Sequence, residues 1–327
     1  PRSTLFPYTT LFRSVAFKAV IAGPGYRGTF VIDEPLMASM KQFLGVAPVH
    51  NKIYIDAIEA FAETMPGTPL VAAFEPEFHR TMPEYAQVYG VPADWRDSHG
   101  VRRYGYHGAS HEFISGRVPE MLGVTRAGLR LISCHLGGSS SLCAIRDGVS
   151  IDTTFGFSPQ SGLENATRHG ELDAFAVLYM MERNGWSTDD VRSQLARLSG
   201  LAGLSGVAGG DVRDITAAAR AGSADAQLAL DVFSYQVKKT IGAYTAAMGG
   251  LDAIAFTGGI GENSAELREA CCSGLDFLGV SIDPARNTQG SGDRIVSTDD
   301  SRVTVLAVAT NEELVVARRA YKALTAV

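Results

Sequence analysis

The sequence predicts an α/β protein, and three observations lead there. Short apolar runs, β-branched in part, recur at 129–134 (LRLISC), 253–257 (AIAFT) and 303–308 (VTVLAV), each of a length suited to a buried strand. Between them, Leu230, Phe233, Val237, Ile241, Tyr244 and Met248 recur at spacings of three and four, which marks one long amphipathic helix over 223–248. Glycine, 35 residues in all, punctuates the chain between these runs. Strands that alternate with helices bury both sheet faces and give layered α/β architecture.

The individual elements follow from local chemistry. Ser223 is a suitable N-cap for the long helix and Gly249-Gly250 a suitable stop. Runs 142–145 and 149–153 flank Asp147-Gly148, a hairpin signal. Shorter helices are expected over 35–44, 54–64 and 312–324, and the apolar run 69–74 ends at Glu75. No short-period repeat or low-complexity segment occurs. The first fourteen residues, PRSTLFPYTTLFRS, show no period and lead into no element. They resemble a translated sequencing-adapter junction and are read as a non-native leader, residues 1–14.

Bulk properties narrow the function classes. The chain has 327 residues, enough for two lobes with a core each. Its formal net charge is −6, which disfavours nucleic acid and anionic membranes as partners, since both need a basic face. No apolar run approaches the roughly 20 residues of a membrane span. The four cysteines, Cys134, Cys143, Cys271 and Cys272, form no Cys-x-x-Cys pair and read as reduced thiols of a cytoplasmic protein.

Several segments could carry chemistry. RRYGYHGASH, 102–111, holds two arginines, two aromatics and two histidines. His107 and His111 would share one face of a helix, which admits a metal pair, a structural pair, or a tight loop between Gly105 and Gly108 in which His107 faces a ligand. HLGGSSS, 135–141, follows a strand; glycine and hydroxyl groups there could cradle phosphate oxygens, or form an ordinary turn. TGGIGENS, 257–264, is a strand–glycine–helix junction of the kind that holds an anion, but it is neither a Walker A loop nor a dinucleotide fingerprint. Arg168, in ATRHG, could grip a phosphoryl group bidentately or be a solvated surface arginine. Glu75, in FEPEFHRTMP, sits at a strand end where a carboxylate can bind magnesium or act as a base; a surface turn is the alternative.

Taken in order, APVHN, FEPEFHRTMP, RRYGYHGASH, HLGGSSS, DTTFGFSPQSGL, ATRHGELD, SGLAGLSGVAGGDVRDI, FTGGIGENSAELRE and ATNEELVVARRA resemble the acetate kinase family from roughly residue 17 to the end. The resemblance implies a two-lobed, actin-like (ribonuclease H-like) fold with the site between lobes. Here the first lobe would be incomplete, with residues 15–77 and the helix 312–327 forming it and 78–311 forming the nucleotide lobe. It implies phosphoryl transfer between ATP and acetate, giving ADP and acetyl phosphate, with Mg2+ and a homodimer. His107 and Arg168 would stabilise the transferring group, with Glu75 as the catalytic carboxylate. Lys18, His50, Val49, Tyr106 and Pro159 would bind the carboxylate substrate, the last three apart from His50 as its apolar pocket. His135, Leu136, Gly137, Gly138 and Ser139 would touch nucleotide phosphates. Asp211, Val212 and Arg213 would border adenine. Gly259, Ile260, Gly261, Glu262 and Asn263 would grip the nucleotide, and Glu312 would hold magnesium.

Four departures from that pattern matter. The family's Asn-Ala-Gly-Ser-Ser-Ser loop is not in the sequence, so the chain as written is expected to have little or no turnover even if a longer parent is active. Glu75 stands where the family has aspartate, which moves the charge outward by one methylene. Gly138 replaces an asparagine. Lys18 stands in for an arginine and lacks its bidentate fork. Propionate, butyrate or pyrophosphate-dependent kinases of the same family, and a catalytically inactive nucleotide-binding homologue, are the alternatives.

Overall fold

The computed structural model describes residues 13–326, apart from the side chains of Pro48 and Val49. The expected leader therefore lies almost wholly outside the described residues.

Two sheets carry the molecule. In the smaller, β1 (Val15–Ala19), β2 (Thr29–Val31) and β3 (Leu70–Phe74) run in the order β1-β3-β2, with β1 parallel and β2 antiparallel to β3. Helix α1 (Glu34–Gln42) starts where the Asp33 carboxylate accepts the Leu36 N–H. Helix α2 (Pro48–Thr64) begins six residues before the expected 54, because Pro48 presets helical φ in the first turn and gives up an N–H that has no partner there anyway. Leu36, Met40, Ile55 and Ile58 close over Phe17 and Phe74 as a small core.

The larger sheet has the order β6-β5-β4-β7-β9-β8. Its strands are β4 (Arg130–His135), β5 (Ser141–Arg146), β6 (Val149–Thr153), β7 (Ala253–Thr257), β8 (Arg294–Ile295) and β9 (Thr304–Ala307). Strands β4, β7 and β9 are parallel, and every residue of β7 is buried, as a central strand covered on both faces requires. The β5–β6 hairpin turns at Asp147-Gly148, with φ of 58° and 80°, the left-handed pair a tight hairpin demands.

Helix α3 (Gly108–Leu122) covers one face through Ile114 and Val118. A second helix, α4 (Ala174–Asn184), buries none of its residues and exposes Phe175, Leu178 and Tyr179. The long helix expected at 223–248 is α5 (Ala224–Met248); it covers the other face through Phe233, Val237 and Ile241, capped by Ser223 and ended by Gly249 in the left-handed region. Each such aliphatic or aromatic side chain contributes roughly 1.5–3 kcal/mol when buried. Short helix α6 (Gly258–Asn263) follows β7, and α7 (Glu312–Thr325) lies across β1, β2, β3 and α3. All four cysteines are free and buried, and no described helix is long and apolar enough to cross a membrane. The C-terminal ends of β3, β4 and β7 release Glu75, the 135–141 loop and α6, so ligand chemistry would gather outside the carboxyl ends of the strands.

Candidate active site

His107 lies between Gly105 and Gly108, immediately before the first turn of α3. It is the N-cap of α3, with φ 56° and ψ 27°, a left-handed conformation costly for a residue bearing Cβ. Gly105, at φ 77°, and Gly108, the first residue of α3, let the chain pass tightly on either side. An added methyl at Gly108 would strike the backbone carbonyl of Glu75. These contacts bring the end of β3 and the start of α3 together.

Around His107 the sequence-predicted residues converge. Its ring lies 4.1 Å from that of His135 and 5.2 Å from that of Phe155, centroid to centroid. The Arg168 guanidinium carbon is 5.8 Å from the same Phe155 ring. Arg168 is buried, at 8% exposure, rather than the solvated loop arginine that its surroundings in sequence allowed. It donates to the Pro159 carbonyl, and no carboxylate pairs with it among the described residues. Burial alone lowers its pKa to about 10, so it stays cationic at neutral pH. Tyr106 packs edge-on to Phe155 and its hydroxyl donates to the Phe157 carbonyl (2.7 Å). His50 is exposed on α2, and partial desolvation together with the charges of Arg168 and Lys18 depresses its pKa. The side chain of Val49 lies outside the described residues.

Glu75 is buried rather than on a surface turn. Lys18 Nζ stands 3.4 Å from Glu75 and 2.7 Å from Glu312. Burial raises the Glu75 pKa, with Lys18 counteracting. Burial likewise opposes the Lys18 charge, but the two carboxylates outweigh it and raise its pKa. Lys18 is thus tied to these acids rather than held free for substrate. Glu75 Oε2 is buried with no partner. Two carboxylates with one oxygen free suit a hard cation that takes its remaining ligands from water and phosphate. Among the described residues no group of three His, Cys, Asp or Glu is placed to hold a metal ion.

A cleft of about 920 Å³ is lined by Gly137, Gly138, Asp211, Val212, Arg213, Gly259, Ile260 and Asn263, all singled out from sequence. Five others lie outside its lining. Leu136 is a core side chain whose carbonyl accepts the Ile260 and Gly261 N–H groups. Gly261 is buried within α6, and the Glu262 carboxylate caps the Gly258 N–H. His135 stacks on His107, and Ser139 is half-buried in the loop. Sequence reading missed Thr216 and Arg220, which also line the cleft. Their signal was present: 212, 216 and 220 fall on one helix face. Phe155 was missed too, since an aromatic in DTTFGFSPQ carries no mark of a ligand contact.

The cleft also locates the asparagine-to-glycine departure. Gly138 is exposed, and an added Cβ meets nothing within 4 Å. Gly138→Asn is therefore expected to leave stability within about 0.5 kcal/mol. If the cleft takes the nucleotide that the resemblance implies, the new amide should tighten nucleotide binding roughly threefold to tenfold, the worth of one hydrogen bond. Titration calorimetry beside a melting curve checks both.

With this geometry in hand, comparison with known proteins is direct. The acetokinase family model matches residues 10–318. The chain belongs to the acetokinase family. It is 42% identical over 306 residues to the acetate kinase of Caldanaerobacter subterraneus subsp. tengcongensis, a match covering 93% of this chain and 76% of that one. To an acetate kinase of Clostridium botulinum it is 43% identical over 305 residues, 93% of this chain and 77% of that one. The crystal structure of Porphyromonas gingivalis acetate kinase superposes with a TM-score of 0.87 at 35% identity, over 96% of this chain and 78% of that one. A propionate kinase from Francisella tularensis gives 0.87 at 34% identity, over 93% and 78%. The α/β fold is thus that of the acetokinases, and the chain is a member of a family of carboxylate phosphotransferases.

Proposed function

We propose that this acetokinase transfers a phosphoryl group between ATP and acetate, giving ADP and acetyl phosphate. The observation that carries the reading is Arg168, a buried cation with no carboxylate partner, sharing the Phe155 ring with a neutral histidine. A buried charge left uncompensated is costly, and an anionic group between the two residues offsets that cost. Phosphoryl transfer needs positioning and charge stabilisation more than covalent chemistry, and these residues supply both.

In this mechanism Arg168 neutralises the transferring group and orients the carboxylate. His107 hydrogen-bonds a phosphoryl oxygen. Tyr106 and Pro159 bound the methyl group, with His50 at its rim. Gly137, Gly138 and Gly259 to Asn263 hold the nucleotide, and Asp211 to Arg213 border its base; His135, Leu136 and Ser139 support them. Glu312 and Glu75 are the residues that would hold Mg2+, which when bound neutralises phosphate charge. Residues 78–311 form the nucleotide lobe in this reading; 15–77 with 312–327 form the other. The unpartnered apolar face of α4 supports a homodimer, and the free cysteines support a cytoplasmic setting.

A second reading, a nucleotide-binding protein without turnover, is favoured by one feature: Lys18 already clasps both acids. Trapping acyl phosphate with hydroxylamine separates the two. A measurable hydroxamate rate is expected, greatest with acetate, then propionate, then butyrate. Arg168→Ala should lower it by about 10²–10³-fold while nucleotide affinity holds. Tight ATP binding with no hydroxamate from any acid would establish the second reading.

A further inference from the structure

Four histidines and four serines interleave beneath the site, and one chain of them has a direction. Ser141 Oγ lies 2.8 Å from His107 Nδ1 and 2.9 Å from His111 Nε2. His111 Nδ1 lies 2.9 Å from Ser133 Oγ. His111, Ser133 and Ser141 are fully buried. The topology fixes the spacing: His107 and His111 are one turn apart on α3, while Ser133 on β4 and Ser141 at the start of β5 face them from the sheet.

A serine hydroxyl has one proton, and a neutral imidazole has one N–H and one bare nitrogen. Burial first, then neighbouring cationic or ionisable groups, hold both rings neutral. Only two protonation patterns have Ser141 both donating and accepting; a third, in which it accepts from both rings, leaves its own buried proton with no acceptor among the described residues. In one, Ser133 donates to His111 Nδ1, His111 Nε2–H donates to Ser141, and Ser141 donates to His107 Nδ1. His107 then carries its proton on Nε2. In the other, every donor reverses. His107 Nε2 is then bare, and the Ser133 hydroxyl proton is left buried with no acceptor among the described residues. An unsatisfied buried donor costs about 1–3 kcal/mol, whereas an unfilled lone pair on Ser133 costs less. The first pattern wins. The nearby His79 shows the same arrangement under firmer constraint. Its Nε2 is 2.9 Å from the Tyr106 carbonyl, which only accepts, so its Nδ1 must accept from Ser150 (2.9 Å).

We propose that Ser141 and His111 are positioning residues that lock His107 as the Nε2–H tautomer, so that it presents a hydrogen-bond donor, not a base, to the transferring group. The part about the transferring group rests on the proposed kinase function; the tautomer does not. His107 Nε2 has no protein partner among the described residues, so its proton remains available to a ligand oxygen.

Histidine-selective 15N NMR on the whole chain tests the lock. The His107 signals, assigned by their loss in His107→Gln, should show a protonated Nε2 and a bare Nδ1 at pH 7.5. In Ser141→Ala the preference should relax to a mixture. In His111→Gln, whose amide supplies an N–H to Ser141, it should persist. A fully wrong tautomer costs up to about 10⁴-fold in a related relay, but a mixture lowers the rate only by its competent fraction, so Ser141→Ala should lower kcat by roughly twofold to tenfold while KM for ATP stays put. Finding His107 protonated on Nδ1 in the unaltered protein overturns the inference, and needs no variant to fold. So does a Ser141→Ala effect confined to KM. Absence of turnover with Nε2–H intact would count against the kinase reading and leave the lock standing.

Discussion

Replacing Gly108 with alanine is expected to cost both stability and rate. Gly108 opens α3, and a Cβ there would overlap the Glu75 carbonyl oxygen, with the Phe78 side chain 3.4 Å away. A backbone carbonyl held at the end of β3 cannot swing aside as a side-chain tip can. The helix start or the strand end must move, and overpacking of this kind costs about 1–3 kcal/mol or more. The displaced groups are Glu75 and His107 themselves, and a shift of about 1 Å can cost about 100-fold in rate. The control is Gly242→Ala, in the middle of α5, where an added Cβ meets nothing within 4 Å. Alanine is better than glycine in a helix interior by up to about 1 kcal/mol, so that variant should melt higher. Urea unfolding of both variants, with the hydroxamate rate, decides. Equal midpoints for the two would show that the Glu75–α3 contact is not tight in solution.

The comparison also shows what the sequence made legible. The strands at 130–135 and 253–257, the hairpin at Asp147-Gly148 and the cap-to-glycine extent of α5 were readable, because each is set by local pattern and turn chemistry. Gly137, Gly138 and 211–213 could be tied to the 259–263 turn only through family resemblance. Nothing local says that loops more than a hundred residues apart line one cleft. Burial of Arg168 and Glu75 was not legible either, since a charged residue in a connection is usually solvated. Both are enclosed by folding of the chain rather than by sequence neighbours: Arg168 by Phe155 and Pro159 of the preceding connection, Glu75 by the more distant Lys18 and α3. Phe155 escaped notice because its role comes from what stacks on it, which no spacing encodes.

Acid should unfold this protein well before its carboxylates titrate, and the buried histidines are the reason. Burial lowers the pKa of His79 and of His135 to about 4, and holds His107 and His111 well below the usual value. An unfolded histidine titrates near 6.5. Between these values the unfolded chain binds more protons than the native one, so stability must fall as pH falls. The contribution is complete above about pH 7 and is lost from 6.5 downward, at up to about 1.4 kcal/mol per pH unit for each histidine. Four of them together remove on the order of 5 kcal/mol by pH 5.5, comparable to the whole stability of many domains. Glu75 acts in the opposite sense: its raised pKa gives stability below the unfolded carboxyl value that is lost as pH rises through the folded one. One carboxyl cannot offset four imidazoles in a window where it is already largely ionised in the unfolded chain. Urea midpoints from pH 7.5 to 5 should therefore fall steeply, and a flat profile would mean that the ring cluster is open to water. The steepness has a functional corollary. The same burial that makes the cluster acid-labile keeps His107 neutral, so tolerance of low pH and a fixed donor on Nε2 cannot both be had from these four rings.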